Sequence, residues 1–233
     1  MMKYILCLIY ISVSLWGDNG KALEAFKKKD YKSAFELYKK SAKSGNTSAQ
    51  NALSYLYFNG LGTQKNAQEG LVWLKKAAHN MDPIAQYDLA MMYLLGNNVT
   101  QDSHLALTWL DSAADLGNAN AQYNLALMYY RGDSVDQNVT KAAELLNSAA
   151  LQGHESAKQN VGRIYMQLLK FDKALKWLKI NAEDGDANAY YLLAEIYCSQ
   201  EEFTQAKKWA EKSKNLGNSD AELLWLKYNL EKY

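Results

Sequence analysis

Residues Asn118–Gly132 read NANAQYNLALMYYRG, and nearly the same phrase stands at Asn46–Gly60 (NTSAQNALSYLYFNG) and Asp82–Gly96 (DPIAQYDLAMMYLLG). Each copy opens on a side chain able to accept hydrogen bonds from the free N–H groups of a helix start, and closes on a glycine. Between those ends the apolar residues recur three or four apart, the period of an amphipathic helix. The recurrence runs through the chain. Gly45, Met81, Gly117, Gly153, Gly185 and Gly217 form one column, spaced 36, 36, 36, 32 and 32 residues apart, and alanine stands four positions on, at Ala49, Ala85, Ala121, Ala157, Ala189 and Ala221. A period of this size belongs to an array of stacked units, none of which can bury its hydrophobic face alone.

The residue after the marker column is Asn46, Asp82, Asn118, His154, Asp186 or Asn218, which reads as a column of helix N-caps. Pro83 takes the first helical position, where a missing N–H costs nothing. Met81 interrupts the glycines, and there Asn80 is the expected left-handed residue. Inside each first helix come Leu53, Leu89, Leu125, Val161 and Leu193, then a small residue (Ser54, Ala90, Ala126, Gly162, Ala194), then Tyr57, Tyr93, Tyr129, Tyr165 and Tyr197. The spacing i, i+1, i+4 puts all three columns on one face. A second helix carries Ala34, Gly70, Ala106, Ala142, Ala174 and Ala206, with Leu37, Trp73, Trp109, Leu145, Trp177 and Trp209 three residues later. Asn66, Asp102 and Asn138 cap it in the long repeats; in the short ones the linker is gone and Tyr31, Phe171 or Phe203 stands beside the turn.

These columns resemble Sel1-like repeats, the 36-residue relatives of tetratricopeptide repeats. AQYNLALMYYRGDSVDQNVTKAAELLNSAALQG, from Ala121, follows the family pattern with Ala126 and Ser134 in place of glycines and Leu145 in place of tryptophan. GKALEAFKKKDYKSAFELYKKSAKSG, from Gly20, looks like an opening hairpin. The resemblance implies an all-α fold, a right-handed α-solenoid of antiparallel helix hairpins at about 18–44, 46–80, 82–116, 118–152, 154–184 and 186–216 with a terminal helix at 218–233, together a single repeat domain over 18–233. It also implies the holding of other proteins or peptides. Some secreted, cysteine-rich members are described as penicillin-binding or weak β-lactamases; these repeats lack the paired cysteines.

The first residues differ from the rest. MMK is basic, YILCLIYISVSL is apolar and WGDNG returns to small and polar residues, so 1–17 reads as a cleavable signal peptide and the chain as periplasmic or secreted, with no membrane span after cleavage. Cleavage leaves Cys198 as the one cysteine, which excludes an internal disulfide. With 26 Lys plus Arg against 25 Asp plus Glu, and only Arg131 and Arg163 as arginines, nothing points to nucleic acid.

Catalytic patterns are missing. No serine has a lysine three residues on, and His79, His104 and His154 are scattered, so neither a serine hydrolase nor a metal site is expected, and no cofactor. DQNVT at 136–140 contains a glycosylation signal, but Asn138 stands in the column of the caps Asn66 and Asp102.

With the Leu and Tyr columns buried, the opposite side of each first helix is left for a partner. It carries Ala52 and Tyr55, Asp88 and Met91, Asn124 and Leu127, Asn160 and Arg163, and Leu192 and Glu195, flanked by Asn51, Tyr87, Tyr123, Gln159 and Tyr191. Arg131 varies between copies and joins them. Tyrosines offering area with a polar tip, asparagines able to pair with a peptide backbone, and few charges suit an extended peptide in a concave groove. The leading expectation is a non-catalytic, protein- or peptide-binding scaffold. A β-lactam- or peptidoglycan-directed hydrolase, suggested by the resemblance alone, and a self-assembling array are the alternatives; the oligomeric state is open.

Overall fold

Thirteen-residue helices repeat along the computed structural model, which describes residues 19–233. The proposed signal segment, 1–17, lies outside the described residues. All regular structure among them is helical, in the Sel1/tetratricopeptide-like α-solenoid class. Contacts divide the chain into two compact units, meeting at Ala121 and Gln122. The first holds α1 (19–27), α2 (Tyr31–Lys43), α3 (Thr47–Asn59), α4 (Ala67–His79), α5 (Pro83–Leu95), α6 (Ser103–Asp115) and the start of α7 (Ala119–Arg131). The second holds the rest of α7, then α8 (Val139–Leu151), α9 (Glu155–Gln167), α10 (Phe171–Glu183), α11 (Ala187–Ser199), α12 (Phe203–Asn215), α13 (Ser219–Tyr228) and a short 3-10 turn, Leu230–Lys232. Within each unit a helix packs mainly on its sequence neighbours, as in a stack.

The helix starts are where the side chains put them. Asn46, Asp82, Asn118, His154, Asp186 and Asn218 each accept a hydrogen bond from a backbone N–H two or three residues on. Asn66, Asp102 and Asn138 do the same for α4, α6 and α8. Asn138 therefore is a cap, its Oδ1 2.9 Å from the Lys141 N–H.

Of the columns expected to be buried, the leucine or valine column and the small-residue column are buried throughout, and the tyrosine column only in part. Leu53, Leu89, Leu125, Val161 and Leu193 are at most 1% exposed, and the small residues beside them are likewise covered. Their size is dictated by the neighbouring helix: a Cβ built at Gly162 would lie 2.9 Å from the Leu178 side chain. Tyr165, Tyr197, Trp73 and Trp177 are buried, while Tyr57, Tyr93, Tyr129, Trp109 and Trp209 are half-buried. The Trp177 indole N–H donates to Asn147 Oδ1 at 3.0 Å, tying α10 to α8.

Two observations depart from the sequence reading. At the interrupted glycine column the left-handed residue is Met81, with φ of 63°, and Asn80 stays at −86°. The turn needs its bend at a fixed place, because the Met81 and Asp82 N–H groups close on the carbonyls of Ala78 and Ala77. Moving the bend to Asn80 would break that register and misplace the Asp82 cap.

The second is a buried column the repeat pattern alone did not flag. Gln50, Gln86 and Gln122 directly follow the alanine column in the long repeats and are 5%, 3% and 8% exposed. Gln50 and Gln86 donate to the Ala42 and Ala78 carbonyls at the end of the preceding helix, at 3.3 and 3.0 Å. Gln50 Oε1 then accepts from Asn80 at 3.0 Å, and Gln122 Oε1 from Gln152 at 2.8 Å, both 30 residues ahead. For Gln86 that position is Leu116, an apolar side chain, and Gln86 Oε1 is left without a donor.

Leu116→Gln should supply the missing donor and stabilise the first unit by about 1 kcal/mol, the net worth of one such bond; urea unfolding that shows no gain would refute the ladder. Met81→Gly should relieve left-handed strain of about 1–2 kcal/mol against about 0.4–1 kcal/mol of added unfolded-chain entropy, a net gain measurable in the same titration.

Candidate binding grooves

The face left over by the buried columns is not uniform. In the first unit it deepens into a groove of about 560 Å³ between α3 and α5, lined also by Ala67 and Leu74 of α4. Asn51 and Tyr55 of α3 and Asp88 and Met91 of α5, all expected at a partner site, line it together. Phe58, Leu74, Met92 and Leu95 give the groove an apolar floor and end, and Asn59, Lys65, Asn97 and Asn98 a polar rim. Tyr55 is 52% exposed and makes a T-shaped pair with Phe26, ring centroids 6.1 Å apart.

Asn59 and Leu95 were outside the sequence reading, yet they stand four residues beyond Tyr55 and Met91. The exposed stripe, continued one helical turn, reaches both. Lys65 and the Asn97–Asn98 pair come from the linker between paired helices, which helical periodicity does not describe.

Asp88 has the most unusual environment in this groove. It is an exposed residue that stands among the groove-lining side chains, which take part of the hydration of its carboxyl. That lost hydration, and secondarily the charge of Asp82, push its carboxyl up to about 6. Lys65 lines the same groove but does not offset the shift.

The second unit has its own groove, of about 400 Å³, and here Gln159, Asn160 and Arg163 of α9 meet Tyr191 and Leu192 of α11, with Asn181 and Asp220 at its edges. It is the more self-satisfied of the two. Asn160 donates to the Ser156 carbonyl at 2.7 Å and accepts from Arg163 at 3.0 Å, so both ends of its amide are engaged. Burial first, then the Glu195 and Asp220 carboxylates, raise the Tyr191 phenol above its ordinary value.

The remaining expected residues line neither groove. Tyr87, Asn124, Leu127 and Glu195 are half-buried. Tyr123 stacks on the His154 ring, with centroids 4.4 Å apart, and so covers the next repeat with one ring face. Arg131 is exposed and 4.0 Å from Asp133. Cys198 is buried, which pushes its thiol up to about 11 and away from reactivity. Among the described residues no group of three or more His, Cys, Asp or Glu is placed to hold a metal ion, and no helix is long and apolar enough to cross a membrane.

The profile of the Sel1 repeat matches residues 16–46, 47–80, 83–118, 119–154, 160–186 and 187–218. Among solved structures, a Sel1 repeat protein from Oxalobacter formigenes is similar at 28% identity with a TM-score of 0.64, over 87% of this chain and 88% of its own. The protein c5321, a protective antigen present in uropathogenic Escherichia coli strains and displaying an SLR fold, is similar at 30% identity with a TM-score of 0.62, over 88% of this chain. This chain spans 46% of that protein's length. No curated protein matches.

The Asp88 shift has a definite sign. The folded state keeps the proton over a range where the unfolded chain, with a carboxyl near about 3.9, has already lost it, so this residue's effect on stability worsens as pH rises from about 4 through 6. Asp88→Asn should therefore raise the melting temperature at pH 7.5 and leave it unchanged at pH 4; equal effects at both values would exclude this account.

Proposed function

The chain belongs to the Sel1 repeat family, and from that premise we propose that it is a non-catalytic adaptor holding an extended segment of another protein in the groove of its first unit. The repeat fold is one commonly used as a protein-interaction scaffold. The observation that carries the reading here is the convergence of Asn51, Tyr55, Asp88 and Met91 on one groove with an apolar floor. None of the four is among the buried core residues of the stack.

Each side chain suits a peptide. Tyr55 presents a broad ring with a polar tip, a combination common at the centres of interfaces. Methionine side chains rearrange to fit different neighbours, so Met91 and Met92 supply an adaptable apolar wall. An asparagine amide such as that of Asn51 can donate to and accept from one extended backbone. The second groove, with its amide already paired internally, is the lesser contact. Residues 1–17 direct export in this reading, and the binding takes place in the periplasm or outside the cell.

Selection of displayed random dodecapeptides on residues 18–233 tests the groove. Peptides recovered on the wild-type protein should lose at least about tenfold in affinity for the Tyr55→Ala, Met91→Ala double variant, corresponding to about 1.4 kcal/mol, while its helical circular dichroism is retained. Affinities within twofold of wild type would dismiss the groove. Export is tested separately by expressing the full chain in a Gram-negative host. A periplasmic product shortened by about 17 residues is expected, and an uncleaved cytoplasmic one would contradict it.

A further inference from the structure

We propose that the segment held in the first groove carries a lysine or arginine beside an apolar side chain, with its cation against Asp88 and its apolar neighbour over Met91, Met92 and Leu95. This rests on the groove reading above and adds the chemistry of the occupant.

The carboxylate is there for no reason of scaffold. The residue before the buried leucine or valine reads Ala52, Asp88, Asn124, Asn160 and Leu192 in successive repeats, so the position tolerates apolar and neutral side chains and is acidic only here. Asp88 caps no helix; Asp82 does that for α5. No hydrogen-bond donor or cation among the described residues meets it. A charge partly stripped of water and unpaired is unfavourable until an opposite charge arrives. Asp88 is exposed on the groove lining, so an incoming cation can reach its carboxylate directly.

The α5 side of the groove has the same sign, while Lys65 lies on the linker rim. From Met81 to Ala121 the chain contains five aspartates and neither lysine nor arginine, so the α5 side of the groove draws in positive charge and repels negative. Across the groove Tyr55 is an exposed aromatic ring, a side chain able to take a cation or a methylene stem. A lysine or arginine stem would lie along the apolar wall and bring its head to Asp88. An acidic segment would place a second negative charge beside an uncompensated one.

The test uses fluorescein-labelled, end-capped octapeptide pools with the fourth residue fixed as Lys, Arg, norleucine or Glu and the fifth as Leu. Their binding to residues 18–233 is followed by anisotropy, with wild type, Asp88→Asn and Asp88→Lys compared at 50 mM salt. Lys and Arg pools should bind the wild type at least about tenfold more tightly than Glu pools. That preference should collapse to within about twofold in Asp88→Asn and reverse in Asp88→Lys. A preference that survives in Asp88→Asn, or norleucine pools binding as well as Lys pools to the wild type, overturns the cation assignment. In those outcomes, a loss of pool binding in the Tyr55→Ala, Met91→Ala variant would leave the groove standing. Absence of binding by every pool would overturn both.

Discussion

The close approach of paired helices at one small side chain per repeat governs the rest of the structure. Where Ser54, Ala90, Ala126, Gly162 or Ala194 stands, the neighbouring helix comes near enough that an added methyl at Gly162 would strike Leu178. That contact fixes which face of every first helix is turned inward, since the adjoining leucine or valine must follow it into the core. Once the inward face is set, the outward one is set too. Tyr55, Asp88 and Met91 line the groove because Leu53, Ala90 and Leu89 are turned into the core.

Small contacts of this kind cannot hold an array by themselves, and the polar bonds between hairpins supply the complement. Gln50, with Asn80 thirty residues ahead, joins two hairpins across a boundary, giving the Ala42 carbonyl a second donor beside the Gly45 N–H. Asn181 reaching the Lys158 carbonyl and Ser213 reaching the Ala187 carbonyl serve the same purpose in the second unit with different chemistry. Buried amides restrict the geometry more than apolar contacts do, because a shift of a helical turn would leave each of them unsatisfied. Register between repeats is therefore held by hydrogen bonds, and cohesion by the leucine, tyrosine and tryptophan columns.

This division explains what was legible in the sequence. Helix boundaries, caps and buried columns are properties of a helix relative to its own axis, and period alone reveals them. The partners of a side chain on a different helix are not. Tyr123 has the same place on its helix as Tyr87, yet it stacks on His154, which occupies an N-cap column otherwise filled by Asn and Asp. Of the expected site residues, Asn51, Tyr55, Asp88 and Met91 meet in one groove and Gln159, Asn160, Arg163 and Tyr191 in another, while Arg131 and Glu195 line neither. Periodicity identified the stripe; only packing shows where it becomes concave. The glutamine column was visible as a residue repeated at the family period, but its meaning depended on a partner thirty positions away. The left-handed residue at Met81 was misread because residue preference favours Asn80, whereas two backbone hydrogen bonds determine the place of the bend.

The departures from the repeat concentrate in the third hairpin. Met81 replaces a glycine, Ile84 stands in a column that elsewhere reads Ser48, Asn120, Ser156, Asn188 and Asp220, Leu116 interrupts the amide ladder, and Asp88 places a carboxylate where other copies have none. The first three fall on the turn edge and the fourth in the groove, so one pair of helices carries both sets. Each change is locally unfavourable: a left-handed methionine, an exposed isoleucine, an unpartnered Gln86 oxygen and an unpaired charge. In a stack whose stability is close to a sum over neighbours, such costs stay local, and the fourth and second repeats can hold their shape while the third departs from the pattern. An array of near-identical units can thus carry several such departures in one hairpin, and of these four only Asp88 lies on the groove lining.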